Sequence, residues 1–373
     1  MMWLVLFGGL FLIGIAGVVF IILRIRKSGF IHNLSHGNKA AAWMLSVAVF
    51  LIPTVLCGIL LGYMNAIIAV LHLALFWVAA EILQFLVKKC RKKKMCRSYA
   101  GGIAILITVI YLGAGMVQAY HVWQTDYSIQ TSKIEGSLRI ALIADSHMGT
   151  TFHGSGFRKH VQHIMKQKPD IVVIAGDFVD EDSSREDMTE ACRALKDLDT
   201  PYGTYFVFGN HDKGNYGTSR GYTGDDLAME LKKNGVTVLQ DENVPIGDDF
   251  YLIGRQDASE ELDFGGSRAD IGDLMQGLDR NRFSIVLDHQ PCDYDAETDA
   301  GADLVLSGHT HGGQMIPLMQ LMRNFHIGGT DNVYGKERHR NTDFIVTSGI
   351  SDWAVRFKTG CRSEYVMIDI NGN

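Results

Sequence analysis

Residues 303–314 read Asp303-Leu304-Val305-Leu306-Ser307-Gly308-His309-Thr310-His311-Gly312-Gly313-Gln314. The stretch opens as a short apolar strand and breaks into glycine. Two histidines stand two residues apart just past the break. In an extended segment, residues i and i+2 point the same way. In a turn, the glycines let the backbone fold so that both imidazoles face one point. Neutral imidazole is a common ligand for transition metals. Taken alone, the stretch is equally a surface loop that holds two histidines. The decision rests on whether other strands end in the same way.

They do. The apolar run 138–144 ends at Asp145-Ser146-His147, and the run 171–175 ends at Gly176-Asp177-Phe178-Val179-Asp180. Residues 204–208 end at Gly209-Asn210-His211-Asp212, and 284–287 lead to Asp288-His289. Helices are expected at about 156–168, stopped by Pro169, at 184–198 ahead of Pro201, and at 225–234. Short strands are expected near 236–239 and 250–253, and final strands at 344–347 and 365–370. This alternation predicts an α/β fold. In open α/β sheets, ligands sit beyond the carboxyl ends of the strands. Five strands therefore deliver Asp145, His147, Asp177, Asn210, His289, His309 and His311 to one edge. The set is oxygen and nitrogen without thiolate, which suits manganese, iron, zinc or cobalt. It exceeds one tetrahedral site, so two metal ions are expected, with one carboxylate bridging. Two metals roughly 3.5–4 Å apart clamp an in-line displacement at phosphorus and acidify a bound water. His160 and His163 lie beside Arg158, Lys159 and Lys166 and read as a solvated helix face.

The blocks D-x-H, G-D-x-x-D, G-N-H-D, a lone histidine and G-H-x-H, in that order, resemble the calcineurin-like metallophosphoesterase superfamily. All five are intact between about residues 138 and 315. The G-H-T-H-G-G-Q form, behind several N-terminal membrane spans, resembles the membrane-associated bacterial phosphodiesterase branch. Relatives in that branch include cell-envelope and lipid-nucleotide phosphoesterases. The tail departs from the branch at Ser351-Asp352-Trp353. The resemblance implies a four-layer αββα sandwich over residues 137–373. It implies one metal on Asp145, His147, Asp177 and His311, and a second on Asp177, Asn210, His289 and His309. Asp177 would bridge them. It further implies that His211 stabilises the transition state or protonates the leaving oxygen, oriented by Asp212. Asp180 would fix the loop by hydrogen bonding. Gly176, Gly209 and Gly308 read as residues that let the loops turn tightly. The implied reaction is attack of a metal-bridging hydroxide on a phosphodiester, phosphomonoester or pyrophosphate bond, on a cell-envelope or lipid-linked substrate. His153, Arg255, Arg356 and His326 read as surface residues before substrate contacts.

The N-terminal third has another character. Apolar runs at about 3–23, 42–62, 66–87 and 99–119 are each about long enough to cross a bilayer. An all-α membrane domain of about four transmembrane helices is expected over residues 1–120, followed by a linker and first edge strand at 121–136. Basic residues collect in the first loop (Arg24, Arg26, Lys27, Lys39) and in the third, 88–97. Both loops should be cytoplasmic. The phosphoesterase domain is then extracytoplasmic, on a multi-pass cell-membrane protein whose partner is the lipid bilayer. Glu81, the one acid before residue 121, is expected to snorkel toward Lys88. Residues 121–373 carry 24 Lys and Arg against 40 acids, so no nucleic acid partner is expected. Cys192, Cys292 and Cys361 form no disulfide framework. Two rivals stand beside the enzyme. One is a non-enzymatic membrane receptor or scaffold with a metal-stabilised domain. The other is a transport module, hinted at by Pro53, His72 and Glu81, which the phosphoesterase domain regulates.

Overall fold

Long apolar runs form the first unit, and strands alternating with helices form the second. The computed structural model describes residues 2–91, 99–217, 220–325 and 329–372; the side chains of residues 2–7, 10 and 91 lie outside that description. The chain divides into the units Met1–Gly115 and Met116–Asn373.

Among the described residues, three helices are long and apolar enough to cross a membrane: Lys39–Leu61, Tyr63–Cys90 and Ala100–Tyr120. This corrects the expected four to three. The expected first span falls on the helix Met2–Arg26, of which the early side chains are not described. Most of the basic third loop, residues 92–97, also lies outside the described residues, as does His326. Glu81 does not reach for Lys88. Its carboxylate pairs with the Arg24 guanidinium at 2.5 Å. His72 Nδ1 bonds within its own helix to the Ile68 carbonyl at 2.8 Å, and its ring stacks on Tyr111. An in-helix bond of this kind satisfies Nδ1 within the helix itself.

Among its described residues the second unit holds twelve strands: β1 (Trp123–Thr131), β2 (Ser137–Ile143), β3 (Ile171–Ala175), β4 (Thr204–Val207), β5 (Val236–Leu239), β6 (Glu242–Ile246), β7 (Phe250–Gly254), β8 (Phe283–Leu287), β9 (Leu304–Ser307), β10 (Gly335–His339), β11 (Thr342–Val346) and β12 (Glu364–Gly372). They form two six-stranded sheets, β1-β12-β2-β3-β4-β5 and β10-β11-β9-β8-β7-β6. β2 to β5 run parallel, as do β7, β8, β9 and β11. β12 runs antiparallel to β2, and β1 closes the edge beside it.

Strand alternation sorts the core into layers. Ile140, Leu142, Ile171, Val173 and Ala175 face the second sheet, where they meet Leu252, Ile285, Leu287, Leu304, Leu306 and Ile345. Their neighbours Ala141, Ile143, Val172 and Ile174 face outward. The helices Gly154–Lys166, Arg185–Leu195 and Gly224–Lys233 cover that outer face with Phe157, Val161, Ile164, Met188, Leu195, Leu227 and Leu231. On the far side of the second sheet, Ile253, Val286, Val305 and Phe344 pack against Ile271, Leu274 and Tyr294. The domain is a four-layer αββα sandwich. Each fully buried Leu, Ile or Phe contributes about 1.5–3 kcal/mol of transfer free energy. An Asp at Ile174, which is wholly buried, would put an unpaired charge between sheet and helices.

Candidate metal centre

Every chemistry-bearing side chain lies just past the carboxyl end of a parallel strand. Asp145 and His147 follow β2, Asp177 and Asp180 follow β3, and Asn210, His211 and Asp212 follow β4. From the second sheet, His289 follows β8, and His309 and His311 follow β9. The backbone turns sharply at these points. Asp145, His147, Asp177, His309 and His311 all adopt left-handed conformations, with φ of 53°, 34°, 52°, 71° and 49°. Such backbone is uncommon away from glycine and costs on the order of 1 kcal/mol per residue. It clusters where surrounding structure over-determines it.

Two groups of donors result. Asp145, His147 and His311 form one, and Asp177, His289 and His309 form the other; within each group the ligand atoms lie within 4.8 Å of one another. His147 Nε2 lies 3.6 Å from Asp177 Oδ2, which links the groups. Asn210 Oδ1 sits in the second group, 2.9 Å from His309 Nδ1 and 3.2 Å from His289 Nε2. All seven residues expected as ligands thus come together. Asp145, His147, Asp177 and His289 are essentially without solvent exposure.

The donor set fits metal. His289 Nδ1 donates to the Ala175 carbonyl at 2.7 Å, so Nε2 keeps its lone pair. That lone pair faces Asp177 Oδ2 at 3.1 Å and Asn210 Oδ1 at 3.2 Å. In the neutral ring, acceptors are thus aimed at acceptors, which a bound cation resolves; without one, the neighbouring carboxylates, Asp177 foremost, outweigh burial and favour a second proton on the ring. In the other group, His147 Nε2 and His311 Nε2 face each other at 3.2 Å, while His311 Nδ1 is buried with no partner among the described residues. An unsatisfied buried polar atom is expensive in an interior. The electrostatics agree. Burial pushes Asp177 up, but the surrounding imidazoles, His289 foremost, hold its carboxyl well below the usual range. Burial, and then the charge of His289, pushes His309 down to about 3 and keeps it neutral.

Around this core sit residues that orient it. Asp180 Oδ2 lies 3.3 Å from His147 Nδ1, and its other oxygen accepts from Asp182 N and Ser183 Oγ at 3.0 Å. It turns the His147 ring, as carboxylates behind metal-ligating histidines do. Asp212 does not orient His211. Its carboxylate accepts the backbone N–H groups of Asp177, Phe178 and Gly209 at 2.8 Å and of Val179 at 3.0 Å, stapling the β3 loop to the β4 loop. A carboxylate saturated by backbone donors has no oxygen to spare for a ring. The partner of His211 is Glu181, 2.9 Å from Nδ1. The His211 ring lies between Trp353 and Tyr216, at centroid distances of 5.3 and 5.1 Å.

The glycines divide by role. Gly176 has φ 81°, as a tight turn requires. Gly209 and Gly308 do not take positive φ; they make room. A Cβ on Gly209 would stand 2.2 Å from Asp177 Oδ1, and one on Gly308 2.6 Å from Asp145 Oδ2. Arg255 is not a surface residue. It is buried against Asp288 at 2.9 Å and Glu297 at 3.5 Å, behind His289. His153 is exposed and pairs with Asp187.

Sequence reasoning missed Glu181, Tyr216, Trp353 and Lys358. The Lys358 ammonium is fully buried and donates to the Ser348, Gly349 and Ser351 carbonyls, fixing the loop after β11 that carries Trp353. Only Glu181 left a sequence signal, as an acid directly following the G-D-x-x-D block.

Residues 138–313 match the calcineurin-like phosphoesterase family. An uncharacterised metallophosphoesterase of Campylobacter jejuni is 29% identical over 246 residues, covering 65% of this chain and 62% of that one. A transmembrane protein with a metallophosphoesterase domain from Bos taurus is 31% identical over 248 residues, 62% of this chain and 52% of that one. The chain thus spans about half to two thirds of the length of these relatives. Among solved structures, a dimetal phosphatase from Danio rerio is similar at a TM-score of 0.37 and 13% identity, covering 57% of this chain and 87% of that one.

Proposed function

We propose, on the premise that residues 138–313 belong to the calcineurin-like phosphoesterase family, that this chain is a membrane-anchored, two-metal phosphoric ester hydrolase. The observation that carries the reading is the pair of buried donor groups joined through Asp177. Asp145, His147, Asp177 and His311 would hold one ion; Asp177, Asn210, His289 and His309 would hold the other. Bound there, manganese, iron, zinc or cobalt supplies charge neutralisation and an acidified water for displacement at phosphorus. Asp177 is suited to bridge, because its Oδ2 faces both His147 and His289. Its Oδ1 accepts the His211 N–H at 2.9 Å, which ties the position of the acid to the bridge.

His211 is the group that donates a proton to the leaving oxygen or stabilises the developing charge. Burial pushes its pKa down, but Asp177 and the Glu181 carboxylate raise it overall and favour the protonated ring. Glu181 positions Nδ1, leaving Nε2 for the substrate. The substrate is a phosphodiester, phosphomonoester or pyrophosphate-linked compound of the cell envelope or of lipid. The support is membrane anchorage and an aromatic rim of Trp353 and Tyr216, each about half exposed.

The test uses the purified full-length chain in detergent with Mn²⁺. It should hydrolyse at least one of a nitrophenyl monoester, a nitrophenyl diester and a pyrophosphate-linked lipid. Asp177→Asn should lose bound metal and at least about a thousandfold in kcat together. Turnover of no phosphoester with any of the four metals would refute the reading.

A further inference from the structure

We propose that the helix Leu318–Phe325 lies on the bilayer surface and docks the domain, through an apolar face, against the membrane in which the chain is anchored. This rests on the anchorage of the chain, not on its hydrolytic reading.

The helix leaves the centre directly, four residues after Gln314. At 100° per residue, Leu321, Phe325, Leu318, Met322 and Met319 fall on one continuous arc of about 160°. Gln320, Arg323 and Asn324 fill the rest. None of its residues is buried. Leu318 is 40% exposed, Leu321 39% and Phe325 67%, and Ile316 just before it is 48% exposed. A contiguous apolar patch of this kind marks an interaction site. On the polar flank, Arg323 is tied to the Tyr334 carbonyl at 2.7 Å, which fixes the rotation of the helix.

The contacts of the second unit indicate what covers the face. The turn before the helix is bonded to residues 359–361: Ile316 N–H donates to Thr359 Oγ1 at 3.1 Å, and Thr359 and Gly360 N–H donate to the Gln314 carbonyl. Two residues on, Ser363 donates through its N–H to the Gln118 carbonyl at 2.9 Å and through its hydroxyl to that of Ala119 at 2.8 Å. Gln118 and Ala119 are the last turn of the apolar helix Ala100–Tyr120. Four residues of chain reach at most about 14 Å. The start of the helix is therefore tied, through residues 359–363, to the last turn of an apolar helix long enough to cross the bilayer. The headgroup layer is about 5–8 Å thick on each side. Amphipathic helices settle into that layer with the apolar face down.

The experiment places Phe325→Trp, and in a second protein Leu318→Trp, in the full-length chain reconstituted into phosphatidylcholine nanodiscs. The quencher is a lipid with a nitroxide near the headgroup. Met229→Trp, 62% exposed on the helix Gly224–Lys233, is the control. The emission added at 325 and at 318 should be quenched at least twofold more than that added at 229. Equal quenching at the three positions overturns the proposal. So does emission at 325 that lipid does not quench but that shifts to the blue only in discs holding two copies, because a second chain is then the occupant.

Discussion

At the scale of the residue, the centre is organised by what each carboxylate accepts. Asp177 is turned toward the imidazoles, whereas Asp212, in the neighbouring loop, is consumed by four backbone N–H groups. Two acids of similar burial thus have different work. Glu181→Gln should keep both metals and fold normally, while kcat falls about tenfold, because only the orientation and charge of His211 change. Asp212→Asn should do the reverse of a positioning mutation. Its amide cannot accept at both ends, so the β3 and β4 loops part, metal content falls and the melting temperature drops. Metal analysis alongside kcat on the two full-length variants separates these outcomes.

At the scale of the element, helices are tied to one another by side chains that were invisible as such. Asp187 accepts the Gly154 N–H at 3.1 Å at the start of one helix and the Ser184 hydroxyl at 2.9 Å at the start of the next. Burial pushes its carboxyl up, but the Gly154 N–H, His153 and Ser184 hold it below the usual range. A depressed folded pKa contributes stability that is present above the unfolded value, near 3.9, and lost as pH falls through the folded one. Asp187→Asn should therefore be less stable than the parent at pH 7. In paired melts of the full-length proteins, that gap should narrow as pH falls below the unfolded value; a gap unchanged across the range would show that the charge contributes nothing. The buried cluster of Arg255, Arg268 and Asp288 supports the segment carrying His289 from behind in a comparable way.

At the scale of the whole molecule, the side of the membrane depends on one span. The basic residues 88–97 and the domain beginning at 116 flank the helix Ala100–Tyr120. If those bases stay in the cytoplasm, everything after residue 120 is outside, whatever the number of earlier spans. A reporter enzyme that works only after export, fused after residue 120, should be active; its silence, with activity at the same junction of a second reporter that works only in the cytoplasm, would reverse the topology.

The amino-acid sequence by itself determined the apolar spans, the strand–helix alternation and the seven donors. Each of these is a local property: an unbroken apolar run, a period of two, or an Asp, Asn or His placed where a strand stops. Tertiary structure alone decided which acid serves His211: Asp212 is its neighbour in the chain and Glu181 lies 30 residues before it, and only folding shows whose oxygens the backbone has already claimed. The same holds for Glu81, whose partner Arg24 is far away in sequence, and for Trp353 and Lys358, delivered by a strand that carries no metal-type residue at its end. The stretch at 303–314 shows both sides. Its spacing pointed to two donors, but their division between Asp145 and Asp177, two groups joined across two sheets, exists only once those sheets are packed.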